Sequence, residues 1–177
     1  MQQEIIIIGG GGFAKVLIDA IILEAKFKIA GFCVDNIPIG NCIFEKYSVI
    51  SDTKLSSINE INDYYFIIAL GDNQIRKRFY QNALLKCKPA RIIHPSAIIG
   101  STVEIGNGTV VMANAVINAY SSIGNNTIIN TGVIIDHDSK IGNHVHLKIG
   151  TLVGGNSDIA DNLTTKIGEF INSFSNL

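Results

Sequence analysis

The sequence predicts an α/β N-terminal half followed by an all-β solenoid. Three observations carry that reading. Strand and helix patterns alternate over residues 4–88, helical spacing vanishes from residue 91, and from there an aliphatic residue returns at every sixth position. The change of character near residue 90 places an α/β domain at 1–90, a β-helical domain at 91–164 and a tail or cap at 165–177.

In the first half, Glu4–Ile8 reads as a buried strand running into Gly9-Gly10-Gly11-Gly12. Residues 13–26 follow as a helix, with Val16, Leu17, Ala20, Ile21 and Leu23 at helical spacing. Lys28–Val34 is a second strand ending at Asp35-Asn36, the stretch Tyr47–Ile50 is ambiguous, and Tyr65–Leu70 is a third strand closed by Gly71-Asp72-Asn73. Gln74–Lys86 reads as an amphipathic helix with Ile75, Phe79, Leu84 and Leu85 inward. Strand–helix–strand alternation implies a small parallel sheet with right-handed crossovers, about half of a dinucleotide-binding (Rossmann-like) fold.

In the second half, a step of six from Ile93 reads Ile99, Ile105, Val111, Ile117, Ile123, Ile129, Ile135, Ile141, Leu147, Val153 and Ile159. A mostly small residue sits four positions after each aliphatic, as at Thr109, Ser121, Thr127, Ser139, Thr151 and Ser157. Gly or Asn often follows the aliphatic directly, as at Gly106, Asn118, Gly124, Asn130 and Gly142. Short flat strands joined by tight turns wind a β-solenoid in which each aliphatic stacks on its equivalents in the neighbouring coils. Small residues suit the corners, and Gly or Asn suits turns needing positive φ. A β-sandwich, with alternation of period two, explains no period of six. After Ile159 the step lands on Thr165 and the aliphatic pattern lapses. An amphipathic cap over 167–177, with Ile167, Phe170, Ile171 and Phe174 on one face, is expected there.

Composition narrows the function. Hydrophobic residues make up 47% and charged residues 16% of the chain, which excludes disorder. A net charge of −1 argues against nucleic-acid or anionic-membrane binding, which needs a cationic field. Cys33, Cys42 and Cys87 form no disulfide framework and no C-x-x-C pair. The start Met1-Gln2-Gln3-Glu4 has no basic signal region, and no apolar run approaches the roughly 18 residues that span a bilayer. A cytoplasmic protein is expected.

The hexapeptide step resembles that of hexapeptide-repeat acyltransferases, which form left-handed parallel β-helices. Ile7-Ile8-Gly9-Gly10-Gly11-Gly12-Phe13-Ala14-Lys15, then Ile68-Ala69-Leu70-Gly71-Asp72-Asn73-Gln74-Ile75-Arg76, then Ile129-Asn130-Thr131-Gly132-Val133-Ile134-Ile135-Asp136-His137-Asp138 occur in that order. Together they are similar to the sialic acid O-acetyltransferase and UDP-amino-sugar N-acetyltransferase group of bacterial glycan pathways, over residues 4 to about 163. The resemblance implies that the α/β domain holds a nucleotide sugar or sialic-acid-type substrate. It implies that the solenoid forms a homotrimer binding acetyl-CoA between subunits, and that a solenoid histidine is the catalytic base, with no metal. Members of this group usually continue for further coils and end near a Gly-x-Pro-Ala stretch, which this chain lacks.

His137 is the candidate base, because an imidazole titrating near neutral pH suits removal of a proton from an attacking amine or hydroxyl. Either flanking carboxylate, Asp136 or Asp138, would fix its tautomer, and the resemblance puts the acidic partner at Asp138. His146 and Gly155 take coenzyme-contacting positions under the resemblance; His144 matches no such position, and His94 before Pro95 reads as the extended entry to the solenoid. Asn130 is a candidate substrate contact, equally explained as a turn residue. The turn Gly9-x-Gly11-x-x-Ala14 presents backbone N–H groups at a helix start. Gly11, Gly12, Phe13, Asp35, Asn36 and Gly71 are therefore candidate substrate contacts, with Asp35 placed to meet a ribose or uracil. Many relatives carry His where Phe13 stands. Arg76-Lys77-Arg78 could pair with a diphosphate, but such a run is more often a solvated helix face.

The expected function is acetyl-CoA-dependent N- or O-acetylation of a sugar by direct transfer in a ternary complex, since no Cys or Ser stands in a nucleophile motif. One alternative is a non-catalytic nucleotide-sugar-binding trimer. A weaker one is zinc-dependent carbon dioxide hydration through His137, His144 and His146, whose spacing does not resemble that family's.

Overall fold

The computed structural model describes residues 2–58 and 64–172, so Phe174 and the rest of 173–177 lie outside the described residues. The chain divides into two compact units, Met1–Ala90 and Arg91–Leu177.

The first unit is a mainly parallel sheet. Its elements are β1 (Gln3–Ile8), α1 (Gly12–Glu24), β2 (Phe27–Cys33), β3 (Cys42–Ile43), β4 (Tyr47–Ser51), β5 (Tyr64–Ile68), α2 (Asn73–Ala83) and β6 (Lys88–Pro89). The strand order is β3-β4-β2-β1-β5-β6, with β3 alone antiparallel to its neighbour. The ambiguous stretch is thus a true strand, β4. Continuous Ile5–Ile8 is fully buried because β1 lies in the middle of the sheet, paired with β2 on one side and β5 on the other.

Two helix faces differ from expectation. In α1 the buried residues are Ala14, Leu17, Ile18, Ala20 and Ile21, whereas Val16 and Leu23 are exposed. The helix starts at Gly12 and so sets its buried stripe by Ala14 and Ile18. In α2 the buried residues are Asn73, Arg76, Tyr80 and Ala83; Ile75, Leu84 and Leu85 are exposed and only Phe79 packs against the core. Tyr80 packs its ring 5.6 Å from Phe66, and a helix docked through that aromatic turns its more apolar side to solvent.

The second unit is the left-handed parallel β-helix implied by the resemblance. Two-residue strands stack in parallel on three faces, each residue pairing with the one 18 positions on, as Val110 pairs with Ile128 and Ile134 with Leu152. The first face stacks Ile93, Val111, Ile129 and Leu147 inward. The second stacks Ile99, Ile117, Ile135, Val153 and Ile171. The third stacks Ile105, Ile123, Ile141 and Ile159.

The corners do more than accommodate small side chains. The Thr127 amide donates to Thr109 Oγ1 at 3.1 Å and the Val145 amide to Thr127 Oγ1 at 3.1 Å, while Thr127 Oγ1 donates to the Gly142 carbonyl at 2.9 Å. Ser121, Ser139 and Ser157 form a second ladder of the same kind. Buried corner amides that face no strand partner are satisfied in this way. Positive φ falls three residues after the aliphatic, at Asn114, Tyr120, Asn126, Asp138, His144, Asn156 and Asn162, and not at the Gly or Asn directly after it.

The end of the solenoid also differs. The step of six does not stop at Thr165: His146 bridges to Thr164, and Phe170–Ile171 pairs with Leu152–Val153, so Ile171 returns to the frame. Thr165 takes an aliphatic's place because its hydroxyl is satisfied, accepting from the Lys148 amide at 2.8 Å and meeting Thr151 Oγ1 at 2.8 Å. Ile167 and Phe170 are exposed, and Ile171 packs against the rungs as part of a strand, not on a helical face. Thr127→Val, which leaves the Val145 amide and Gly142 carbonyl without their buried partner, is expected to lower stability by about 1–3 kcal/mol. Thr127→Ser is expected to cost much less, and urea unfolding of both variants checks the pair.

Candidate active site

The corner after the second face carries Asp136-His137-Asp138. The Asp138 carboxylate Oδ2 lies 2.8 Å from His137 Nδ1. A carboxylate only accepts, so Nδ1 carries the hydrogen and the neutral ring presents the Nε2 lone pair. Asp138 reaches that nitrogen because it sits in the left-handed region (φ 57°), which folds its side chain back over the preceding residue; its own amide donates to the Ala119 carbonyl one coil below at 3.1 Å. Of the two flanking carboxylates, Asp138 therefore holds the ring.

Asp136 is held differently. Its Oδ1 accepts from Asn118 Nδ2 at 2.9 Å and from the His137 amide at 2.8 Å. Its Oδ2 stands 3.8 Å from His137 Nε2, beyond hydrogen-bond reach. The Asp138 hydrogen bond, followed by the charge of Asp136, raises the His137 pKa above the ordinary imidazole value. The Asn118 hydrogen bond, followed by that of the His137 amide, lowers the Asp136 pKa below the usual carboxylate range. All three side chains are about half exposed to solvent.

Gly155 lies one coil above His137. A Cβ there would stand 3.1 Å from His137 Cε1 and Nε2 and 3.3 Å from Asp136 Oδ2, so a side chain at this position would crowd the reactive side of the ring. Sequence reasoning placed Gly155 with the coenzyme and treated Asn118 as a turn residue. The signal for both is the spacing of 18, which puts Asn118 beneath Asp136 and Gly155 above His137.

Asn130 and His146 form a second pair, Nδ2 to Nε2 at 3.2 Å, and Asn130 Oδ1 also accepts from the Thr131 amide at 2.8 Å. His146 is only 7% exposed. His144 meets Asn126 at 2.8 Å, and His94 accepts from the Ser96 amide at 3.1 Å. His137, His144 and His146 thus have separate partners, and among the described residues no three His, Cys, Asp or Glu side chains group as metal ligands.

In the first unit the candidate substrate contacts gather at the carboxyl ends of β1, β2 and β5. Gly9, at φ 103°, sends its amide to the Cys33 carbonyl at 3.0 Å and turns the chain into α1, whose N-cap is Gly11. Gly11 and Gly12 are exposed with open space around them, and Phe13 is half-buried. Asn36 and Gly71 are exposed. Asp35 is engaged within its own chain, accepting from the Thr53 amide at 2.9 Å and Thr53 Oγ1 at 2.7 Å. Arg76 is not on a solvated face: it is 1% exposed, and its Nη1 donates to the Leu70 and Gly71 carbonyls at 3.2 Å each. Burial lowers its pKa to about 10, so it stays charged and ties down the loop that carries Gly71.

A three-sided solenoid of hexapeptides, bearing on one corner an imidazole held by a carboxylate and preceded by a half Rossmann-like sheet, defines a hexapeptide-repeat protein of the acyltransferase fold class. Within that class the chain is similar to the NeuD/PglD-type acetyltransferases. The PglD N-terminal domain model matches residues 4–83. UDP-N-acetylbacillosamine N-acetyltransferase of Bacillus subtilis (strain 168) is 34% identical over 113 residues, 63% of this chain and 52% of that protein. The match thus spans about half the length of that curated relative. Among solved structures, the acetyltransferase domain of PglB from Neisseria gonorrhoeae FA1090 is 28% identical with a TM-score of 0.77, covering 97% of this chain and 86% of that one. A variant of perosamine N-acetyltransferase from Caulobacter crescentus, solved in complex with CoA and GDP-perosamine, is 26% identical with a TM-score of 0.77, covering 96% and 91%.

His137 is expected to titrate above an ordinary histidine in an NMR pH series. Asp138→Asn should move the midpoint down, since losing the carboxylate disfavours the imidazolium; an unmoved midpoint contradicts the hydrogen bond as its cause.

Proposed function

We propose that the protein transfers the acetyl group of acetyl-CoA to the amino group of a nucleotide-linked sugar in glycan biosynthesis, with His137 as general base. The observation that carries this reading is the His137 imidazole, held at Nδ1 by Asp138 with Nε2 presented to solvent on a hexapeptide solenoid. Two of the similar proteins named above, those of Bacillus subtilis and Caulobacter crescentus, are N-acetyltransferases, which favours N- over O-acetylation. The similar PglB domain has also been solved in complex with acetyl coenzyme A, at 29% identity and a TM-score of 0.73.

In the proposed reaction the sugar nitrogen attacks the thioester carbonyl while His137 Nε2 takes its proton. The C–S bond breaks and the imidazolium returns the proton to the departing CoA thiolate. Asp138 fixes the tautomer and stabilises the imidazolium between these steps. In the first unit, the open turn at Gly11 and Gly12 would receive the nucleotide phosphates on backbone amides at the start of α1. Phe13, Asn36 and Gly71 would line the rest of that mouth, and Asp35 would meet a ribose or base through whatever its bonds to Thr53 leave free. His146 and Gly155 would contact the coenzyme, and Asn130, bonded to His146, would contact the substrate.

A homotrimer is part of the proposal. Outward on the second face stand Ile98, Val116, Ile134, Leu152 and Phe170, of which Ile98 is 66% and Phe170 63% exposed. The third face presents Glu104, Ser122, Lys140 and Asp158. An apolar stripe five rungs long on one face, beside a polar face, is the kind of surface that oligomers bury. It ends at the corner of His137, so its burial against a neighbour would enclose the site and form a coenzyme cleft. No helix among the described residues is long and apolar enough to cross a membrane; a cytoplasmic site of action is part of the proposal.

His137→Ala is expected to lower acetyl transfer to an amino sugar by about 10²–10⁴-fold while acetyl-CoA binding by calorimetry persists. Retained turnover contradicts the assignment. Light scattering is expected to give three times the 19.1 kDa chain mass, and Ile134→Asp with Leu152→Asp to reduce it to one.

A further inference from the structure

We propose that Asp136 and His137 form a two-point acceptor for the attacking nitrogen, so that the site selects an amine over a hydroxyl; this rests on the acetyl-transfer reading above. Three observations support it. Asp136 is anchored through Oδ1 alone, by Asn118 Nδ2 at 2.9 Å and the His137 amide at 2.8 Å. That leaves Oδ2 on the side of the reactive Nε2, 3.8 Å away. With Nδ1 committed to Asp138, both Nε2 and Oδ2 are acceptors.

Two acceptors at that separation are too far apart for a hydrogen bond, and neither has a hydrogen to offer the other. A group seated against both must bring two hydrogens. A nitrogen about 2.9 Å from each satisfies both at once. The third observation is Gly155, whose missing Cβ would fall 3.1 Å from Nε2 and 3.3 Å from Oδ2: the space shared by the two acceptors is kept open by the absence of a side chain.

An amine brings one N–H to Nε2 and one to Oδ2. As its lone pair attacks the thioester carbon, the N–C bond forms and the nitrogen becomes cationic. Asp136 stabilises that charge while Nε2 takes the other proton; the C–S bond then breaks and that proton goes to the CoA thiolate. A sugar hydroxyl has a single hydrogen. Given to Nε2, it leaves the oxygen lone pairs against the Asp136 carboxylate, and a polar site left unpaired is how enzymes reject an analogue lacking one hydrogen-bond group. Asp136 is thus assigned as a catalytic residue that contacts the substrate nitrogen, and Asn118 as the residue that positions it.

The test compares kcat/KM for a nucleotide-linked 4-amino sugar (GDP-perosamine or a UDP-linked counterpart) with that for its 4-hydroxy analogue. Asp136→Asn keeps an Oδ1 for Asn118 and the His137 amide but replaces Oδ2 by a donor. It is expected to lower kcat/KM for the amine by about 10²-fold, with little change for the hydroxyl analogue, so that the preference collapses. Asn118→Ala, at an exposed residue outside the rungs, should lower the same preference in part. Any effect acting through the His137 pKa moves both acceptors alike and leaves the ratio unchanged. A wild-type preference for the amine that persists in both variants overturns the inference while acetyl transfer stands. Absence of transfer by the wild-type protein to every amino sugar tried overturns the acetyl-transfer reading, and this inference with it.

Discussion

The register of the solenoid is the constraint on which the C-terminal unit depends. Among the described residues, the paired strand positions on all three faces meet the ones 18 residues on. That single repeat stacks Ile117 on Ile135 on Val153 in the interior and threads Thr109, Thr127 and Val145 through a corner. A solenoid stabilised by nearest-neighbour stacking tolerates little drift in register, because a one-residue slip sends the aliphatic rungs to solvent. The same register builds the candidate site. Asn118 lies beneath Asp136 and Gly155 above His137 for the reason that Ile117 lies beneath Ile135.

Around His137 the electrostatics divide the work between two carboxylates of the same type. Asp138, folded back by its left-handed backbone, takes Nδ1 and sets the tautomer. Asp136, tethered through Oδ1, contributes charge toward Nε2 without bonding it. Both favour the imidazolium, and neither is buried, so the ring remains basic and reachable. A closed ion pair with both carboxylates would hold the charge more firmly but leave no free nitrogen for a substrate.

The N-terminal unit positions its candidate contacts by backbone conformation more than by side chains. Gly9 bends the chain off β1, Gly11 caps α1, and the buried Arg76 holds the Leu70 and Gly71 carbonyls. Asp35, at the end of β2, is already bonded to Thr53. The open surface at the strand ends is therefore mostly exposed amides and small residues, a surface suited to phosphate oxygens.

The sequence by itself determined the period of six, the change of fold near residue 90, the strand patterns of β1, β2 and β5, and His137 as the residue to examine. Those features are local or strictly periodic, and aliphatic spacing records them directly. It did not determine which face of α2 is buried, because the packing of Tyr80 on Phe66 and the bonds of Arg76 to the Leu70 and Gly71 carbonyls override the apolar count. The frame at Ile171 was hidden behind Thr165, a polar residue allowed inside only because Lys148 and Thr151 supply its hydrogen bonds. Only the tertiary structure decided which aspartate holds the ring. Asp136 and Asp138 are equivalent neighbours in sequence, and they differ because one sits extended over Asn118 while the other turns left-handed at the corner. Side-chain direction at a corner is a property of the coil above and below it, and adjacent letters do not record it.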